Sequence, residues 1–332
     1  MYTTDMMQKK WYEVVWPGTH NSYANNSDGI NDYVYQQYGV PEISSINQHK
    51  SIKKQLEKGI HYLTLDVTSK NNTSGQIALC HGSCGRGLTN VDDILDDIHD
   101  FLRDNEHEIV IVNFDFTKYK GYFDKSEKPK DPGGEQYEKW YKNLFQDIDK
   151  EGLSAYVDPA KWSILNPDNY SSSNGKIQNQ VRDAWASATI SWSSMEDMIK
   201  SGERLILMPE TIEDELLGNA GWLRSRAKGK YQDADDYQPE FLKLKEKSRS
   251  ATLFVNPKTD AYSSGDKGEN KKVNDGRYLY NMGAWAKKKL EKMNEGRSTD
   301  ETVHLTFFEM QFFDFGEDWR NNSDYTVIDA CN

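Results

Sequence analysis

Five residues of types that do chemistry fall at the ends of apolar, strand-length runs: His20, Asn21, Asp66, His81 and Asp115. The runs read Pro17-Gly18-Thr19-His20-Asn21-Ser22, Leu63-Thr64-Leu65-Asp66, Leu79-Cys80-His81-Gly82 and Val112-Asn113-Phe114-Asp115. An imidazole, with an unperturbed pKa near ~6.5, gives or takes a proton at neutral pH. Carboxylate and amide oxygens are the ligands a hard divalent cation prefers. Taken singly, each residue has a plainer reading: an Asp caps the next element, and a lone His packs with a hydrogen-bond partner. Four successive strands that each deliver such a residue at the same end are hard to obtain by accident. All five are therefore expected to converge on one rim.

That convergence requires strands that run the same way. Strand-length apolar runs occupy residues 12–16, 62–67, 76–80, 108–116, 204–208, 252–255 and 304–313. Segments of helical period lie between them, at 50–58, 91–105, 136–150, 194–201, 239–249 and 278–295. In the second of these, Val91, Ile94, Leu95, Ile98, Phe101 and Leu102 keep the spacing of one buried helix face. The alternation predicts an α/β chain built on a parallel sheet. Seven strands with helices between them predict a closed, distorted (β/α)8 TIM barrel rather than an open dinucleotide sheet. No G-x-G-x-x-G follows the first strand. The chain's 332 residues exceed the ~100–200 typical of a domain, but barrels run to ~250 undivided. A single domain over 1–332 is expected, motif-dense at 13–116 and insertion-rich at 117–332. Polar surface insertions are expected at 118–132, 156–175 and 261–274.

The motifs resemble a known family. Gly18-Thr19-His20-Asn21-Ser22-Tyr23, Ser51-Ile52-x-x-Gln55-Leu56-x-x-Gly59-Ile60, Leu65-Asp66-Val67, Leu79-Cys80-His81-Gly82-x-Cys84 and Asn105-x-x-Glu108-Ile109-Val110 are similar to the X domain of phosphatidylinositol-specific phospholipase C. The resemblance is dense from 13 to 116; beyond that, only barrel-like alternation and Phe313-Asp314-Phe315 continue it. It implies a site at the C-terminal rim of a TIM barrel and two-histidine catalysis. A neighbouring inositol hydroxyl attacks phosphorus, giving a cyclic phosphodiester and a released alcohol. His20 would be the general base or the phosphate-stabilising imidazole, and His81 the general acid.

Within this family, metal-independent bacterial members carry Arg and Lys where this chain has Asp66 and Asp115, and calcium-dependent members carry carboxylates. Asn21, Asp66 and Asp115 thus resemble the calcium-dependent set, with Ca2+ the expected ion and Mg2+ the second choice. Two carboxylates beside a phosphate repel it unless a cation lies between. Thr64 departs from the calcium-dependent pattern, which has a Glu there; this shifts the base role towards His20. Thr64 stays a possible supporting residue, with Asp314 and Glu210 as further candidates at later strand ends. A glycerophosphodiester phosphodiesterase is the nearest rival, but it shows His-Arg and Glu-x-Asp where this chain has His20-Asn21 and Thr64-x-Asp66. A sugar- or inositol-binding module, or a toxin component, is the non-enzymatic rival.

Composition narrows the partners. Lys plus Arg total 41 against 53 acids, a net charge of −12 that repels nucleic acid at long range. The expected substrate is a phosphoinositide or a soluble inositol phosphodiester, with transient contact at a membrane surface. Aromatics at 12% argue against disorder. No run reaches the ~18 apolar residues of a membrane span. Cys80 and Cys84 bracket His81; a short-loop disulfide, implying an oxidising compartment, and two reduced core thiols both remain open. The first residues, MYTTDMMQKK, lack a leader's apolar core. An extracellular protein whose leader is not part of this chain is expected, with a cytosolic one as the alternative.

Overall fold

The computed structural model describes residues 2–24, 48, 50–69, 77–79, 89–115, 135–174, 177–187, 192–209, 222–224, 250–255, 294–296 and 304–310. Strand β2 (Tyr62–Ser69) alternates as a doubly covered strand must. Leu63, Leu65 and Val67 enter one apolar cluster, while Tyr62 enters another on the opposite face. Strand β5 (Val110–Asp115) repeats the pattern, with Val110, Val112 and Phe114 on the first side and Ile111 on the second. Strand β6 (Leu205–Pro209) does the same with Leu205 and Leu207 against Ile206 and Met208.

Strands β1 (Trp16–Thr19), β2, β5 and β6 pair in parallel in that order. On the other flank, β9 (His304–Met310) pairs parallel with β1, β8 (Ser250–Val255) with β9, and β7 (Trp222–Arg224) with β8. The first strand therefore lies beside the last, and the neighbours on each side follow chain order. The expected α/β class and parallel sheet are what the described residues form.

Helices cover the first face of this sheet. Helix α2 (Ile52–Glu57) starts at Ser51, whose side chain accepts from the Lys54 amide, and buries Ile52 and Leu56. It stops where Gly59 turns left-handed at φ 86°, which returns the Ile60 amide to the Gln55 carbonyl at 3.0 Å. Helix α3 (Val91–Asp104) has Asp92 and Asp93 in its first turn and Arg103 in its last, each favourable to the helix dipole. Its buried residues are the six that the spacing predicts. Helix α4 (Glu135–Lys150) adds Leu144, Phe145 and Ile148 to the same cluster. On the second face, Trp11 and Val14 of the N-terminal segment and Met195 and Met198 of a late helix pack under Tyr62, Ile111 and Ile206. Tyr62 is the first residue of β2, and Ile111 and Ile206 are the second of β5 and β6, so this packing lies at the N-terminal end of the sheet.

Three expectations are corrected. Residues 12–16 are not a strand: Trp11–Glu13 form a 3₁₀ turn, closed by the Glu13 carboxylate accepting from the Lys10 amide at 2.9 Å. The strand begins at Trp16, since an aromatic run too short to show a period does not declare its type. Strand β3 (Ile77–Leu79) runs antiparallel to β2, with Val67 opposite Leu79, and pairs onward with β4 (Thr89–Asn90). It is a hairpin arm on the overhanging end of β2, not a member of the parallel set. Residues 156–175 are not a plain surface insertion. Asp158 caps helix α5 (Pro159–Leu165) through the Ala160 amide at 2.8 Å, and Leu165 is buried in the main core. The expected segments 118–132, 239–249 and 261–274, and 278–295 apart from its last two residues, lie outside the described residues.

Candidate functional site

Strand β1 ends at Thr19, opposite Leu63, and the chain reverses over His20–Ala24. Asn21 takes a left-handed conformation, φ 47°, which Asn tolerates better than most residues. From Trp16 to Tyr23 every residue is buried except His20, which is partly exposed. The turn is thus packed away and its histidine is not.

A buried polar brace holds the turn. The Asn21 amide donates to Thr64 Oγ1 at 3.0 Å and the Ser22 amide to the Thr64 carbonyl at 3.0 Å. The Thr64 amide donates to Ser22 Oγ at 3.0 Å, and Thr64 Oγ1 donates to the Thr19 carbonyl at 3.2 Å. From α2, Gln55 accepts from Thr19 Oγ1 at 2.6 Å and donates to the carbonyls of Ser22 and Lys50, each at 2.7 Å. Gln48 Nε2 donates to the His20 carbonyl at 2.9 Å. Buried polar groups unpaired would cost about 1–3 kcal/mol each, so this mutual satisfaction favours one turn geometry.

Thr64, a possible supporting residue where the calcium-dependent pattern has a Glu, is the centre of this brace. Sequence reasoning missed the brace itself. One signal was available: Gln55 sits three residues after Ile52 on the buried face of a short helix, where a polar side chain requires fixed partners.

Asp66 is buried on β2, and its Cα partner on β5 is Asp115. Adjacent strands lie about 4.8 Å apart, so two carboxyl-bearing residues meet at this register. One step lower, Thr64 is the partner of Asn113, whose Nδ2 donates to the Tyr62 hydroxyl at 3.3 Å. The second face of β2 thus grades from apolar to polar as the strand runs towards its C-terminal end. In donor type, Asn21, Asp66 and Asp115 suit a hard cation. Among the described residues no three His, Cys, Asp or Glu side chains form a metal-holding group.

His81, Cys80, Cys84, Glu210 and Asp314 lie outside the described residues. Leu79, the last residue of β3, is the partner of Val67, one position past Asp66.

Two other described histidines, His61 and His99, have ordinary packing roles. His61 precedes β2 at the opposite end of the sheet, buried, with Nδ1 2.9 Å from the Ile109 carbonyl and Nε2 3.5 Å from Glu108. Burial holds its pKa below the usual value, against the upward pull of Glu108. His99 lies on α3 against the Tyr156 ring.

The family model for the PI-PLC X domain matches residues 6–125, the stretch that contains β1, the brace, β2 and β5. No curated protein sequence matches the chain. Among solved structures, the chain is similar to the phosphatidylinositol-specific phospholipase C of Listeria monocytogenes at 15% identity and a TM-score of 0.45, covering 96% of each chain. It is similar to the Staphylococcus aureus enzyme of the same name at 11% identity and a TM-score of 0.43, covering 98% of this chain and 94% of that one. A calcium-dependent phosphoinositol-specific phospholipase C from a Pseudomonas species gives 11% identity and a TM-score of 0.36, with 82% of each chain covered.

Proposed function

We propose that this chain, whose residues 6–125 match the PI-PLC X domain, is a phosphodiesterase that cleaves an inositol phosphodiester at the C-terminal rim of its parallel sheet. The observation that carries the reading is the register of the strand ends. Asp66 stands opposite Asp115, while the His20–Asn21 turn is tied to Thr64, two residues before Asp66 on the same strand. The proposal extends to a closed barrel, because the first and last strands pair and the neighbours run in chain order on both sides. Closure would take one further seam, between β6 and β7.

The inositol hydroxyl next to the phosphoryl group is the nucleophile. His20, as base, takes its proton while the oxygen attacks phosphorus, and the bond to the leaving alkoxide breaks. His81 gives that alkoxide a proton, so the products are a cyclic inositol phosphate and a free alcohol. One imidazole finishes protonated and the other neutral, and water restores both when it opens the ring. Asn21, Asp66 and Asp115 would hold calcium, or magnesium as second choice, whose positive charge would offset the repulsion between carboxylates and phosphate.

The test is turnover of a chromogenic inositol phosphodiester. His20→Ala and His81→Ala should each lower turnover by ~10²–10⁴-fold while the chain stays folded. Exhaustive chelation, or Asp66→Asn, should do likewise, with calcium restoring the chelated wild type alone. Near-normal rates in either histidine variant would remove the two-histidine assignment. Full activity in chelator with Asp66→Asn unharmed would remove the metal.

A further inference from the structure

We propose that the Thr64 hydroxyl is the positioning group for His20, acting through the backbone on both sides of that residue; this rests on the phosphodiesterase reading. Strand β1 runs out of ladder at Thr19, so the amides of Asn21 and Ser22 need acceptors from elsewhere. Thr64 supplies both: its hydroxyl to Asn21 and its carbonyl to Ser22. The same hydroxyl donates to the Thr19 carbonyl, so one oxygen grips the backbone immediately before and immediately after His20. Gln48 fixes the His20 carbonyl from a third direction.

Such a grip has a clear purpose at a left-handed residue. A non-glycine residue in that region persists only where its surroundings over-determine it. Without the hydroxyl, the turn loses the acceptor at Asn21 and the donor to Thr19 together. It can then relax towards ordinary backbone angles and carry the imidazole with it. Thr64 is 4% exposed, so no water stands ready to replace the lost bonds. His20 is the partly exposed residue of the buried turn, so a backbone shift there is read out at its ring. A misplacement of about 1 Å at a reacting group costs up to ~10²-fold in rate.

Thr64→Val keeps the shape and removes the oxygen. It should lower kcat by ~10–100-fold with KM held within about twofold, and move the limb of the pH–rate profile that belongs to His20. Thr64→Ser, which keeps the hydroxyl, should recover kcat to within about threefold of wild type. A purely structural residue would lower the folded fraction without moving the profile. The inference is overturned if folded Thr64→Val keeps the wild-type kcat and profile, or if Thr64→Ser fails to recover what Val loses. Should Thr64→Val not fold, Gln48→Met takes its place: loss of the bond to the His20 carbonyl should lower kcat in the same way, and an unchanged kcat overturns the brace. If the wild type turns over no inositol phosphodiester, the functional reading falls by itself. The brace is then read from the His20 imidazole cross-peak by NMR. A shift of that peak in the variant, with the His61 peak unmoved, sustains it; an unmoved His20 peak ends it.

Discussion

His20 and His61 stand at opposite ends of neighbouring strands, one partly exposed on the rim and the other enclosed beneath Trp16 and Tyr2. His61 has its pKa lowered by burial, so it is neutral in the fold and gains a proton more readily when unfolded. Its contribution to stability is present above ~6.5 and is lost as pH falls below that value. Asp147, half-buried on α4, behaves in the opposite sense. Burial, helped by the Asp92 carboxylate on α3 and opposed by Lys150, pushes its pKa up to about 6. Above that pH the fold holds an unwelcome charge, which the unfolded chain accommodates more easily. Asp147→Asn should therefore raise stability at pH 8 by about 1 kcal/mol, a figure reduced for partial solvent screening. The gain should shrink as pH falls below about 6 and vanish near pH ~3, where the unfolded carboxyl is protonated as well as the native one. Urea melts at the two pH values check this, and an equal effect at both would exclude a titrating cause.

Among the elements, the β1–β2 pair matters most, because it sets His20 against Thr64. Gly18 is the Cα partner of Tyr62, and a Cβ at Gly18 would stand 2.9 Å from the Tyr62 carbonyl oxygen and inside contact distance of its ring. Neither obstacle is the far end of a flexible side chain. Gly18→Ala should destabilise the chain by about 1–3 kcal/mol and lower activity beyond what the folded fraction explains. A wild-type melting curve for this variant would show that the strands part freely. The buried face of helix α3 was legible in full and its end to within one residue, because an amphipathic face is a pattern within fourteen consecutive positions. The direction of β3 was not, since three apolar residues read alike in either direction and only the ladder to Val67 decides. Helix α5 was hidden within a polar stretch, although Asp158-Pro159 carries a capping residue followed by Pro at the first helical position.

At the scale of the molecule, the proposed closure makes a measurable claim. In a closed ring, Leu205–Pro209 and Trp222–Arg224 have pairing partners on both flanks. Their amides should exchange with deuterium as slowly as those of β1 and β2, which are flanked on both sides. In an open sheet, the outward amides of β6 and β7 would exchange orders of magnitude faster than the inward ones. A single domain over 1–332 would lose this protection in one cooperative step, and separate steps for the two halves would divide it.

What the amino-acid sequence determined by itself was local: the class of fold, the period of its long helices, and the identity of the residues at the strand ends. These follow from neighbours a few positions apart, where side-chain type and spacing act directly on the backbone. The tertiary structure decided what depends on register. It set Asp66 opposite Asp115, laid the last strand beside the first, and turned β3 against its neighbours. It also gave Thr64 a task that its type does not announce, since its partner amide lies 43 residues away. A threonine hydroxyl is a donor and an acceptor anywhere. Only the fold brings it to the one turn where both capacities bear on a histidine.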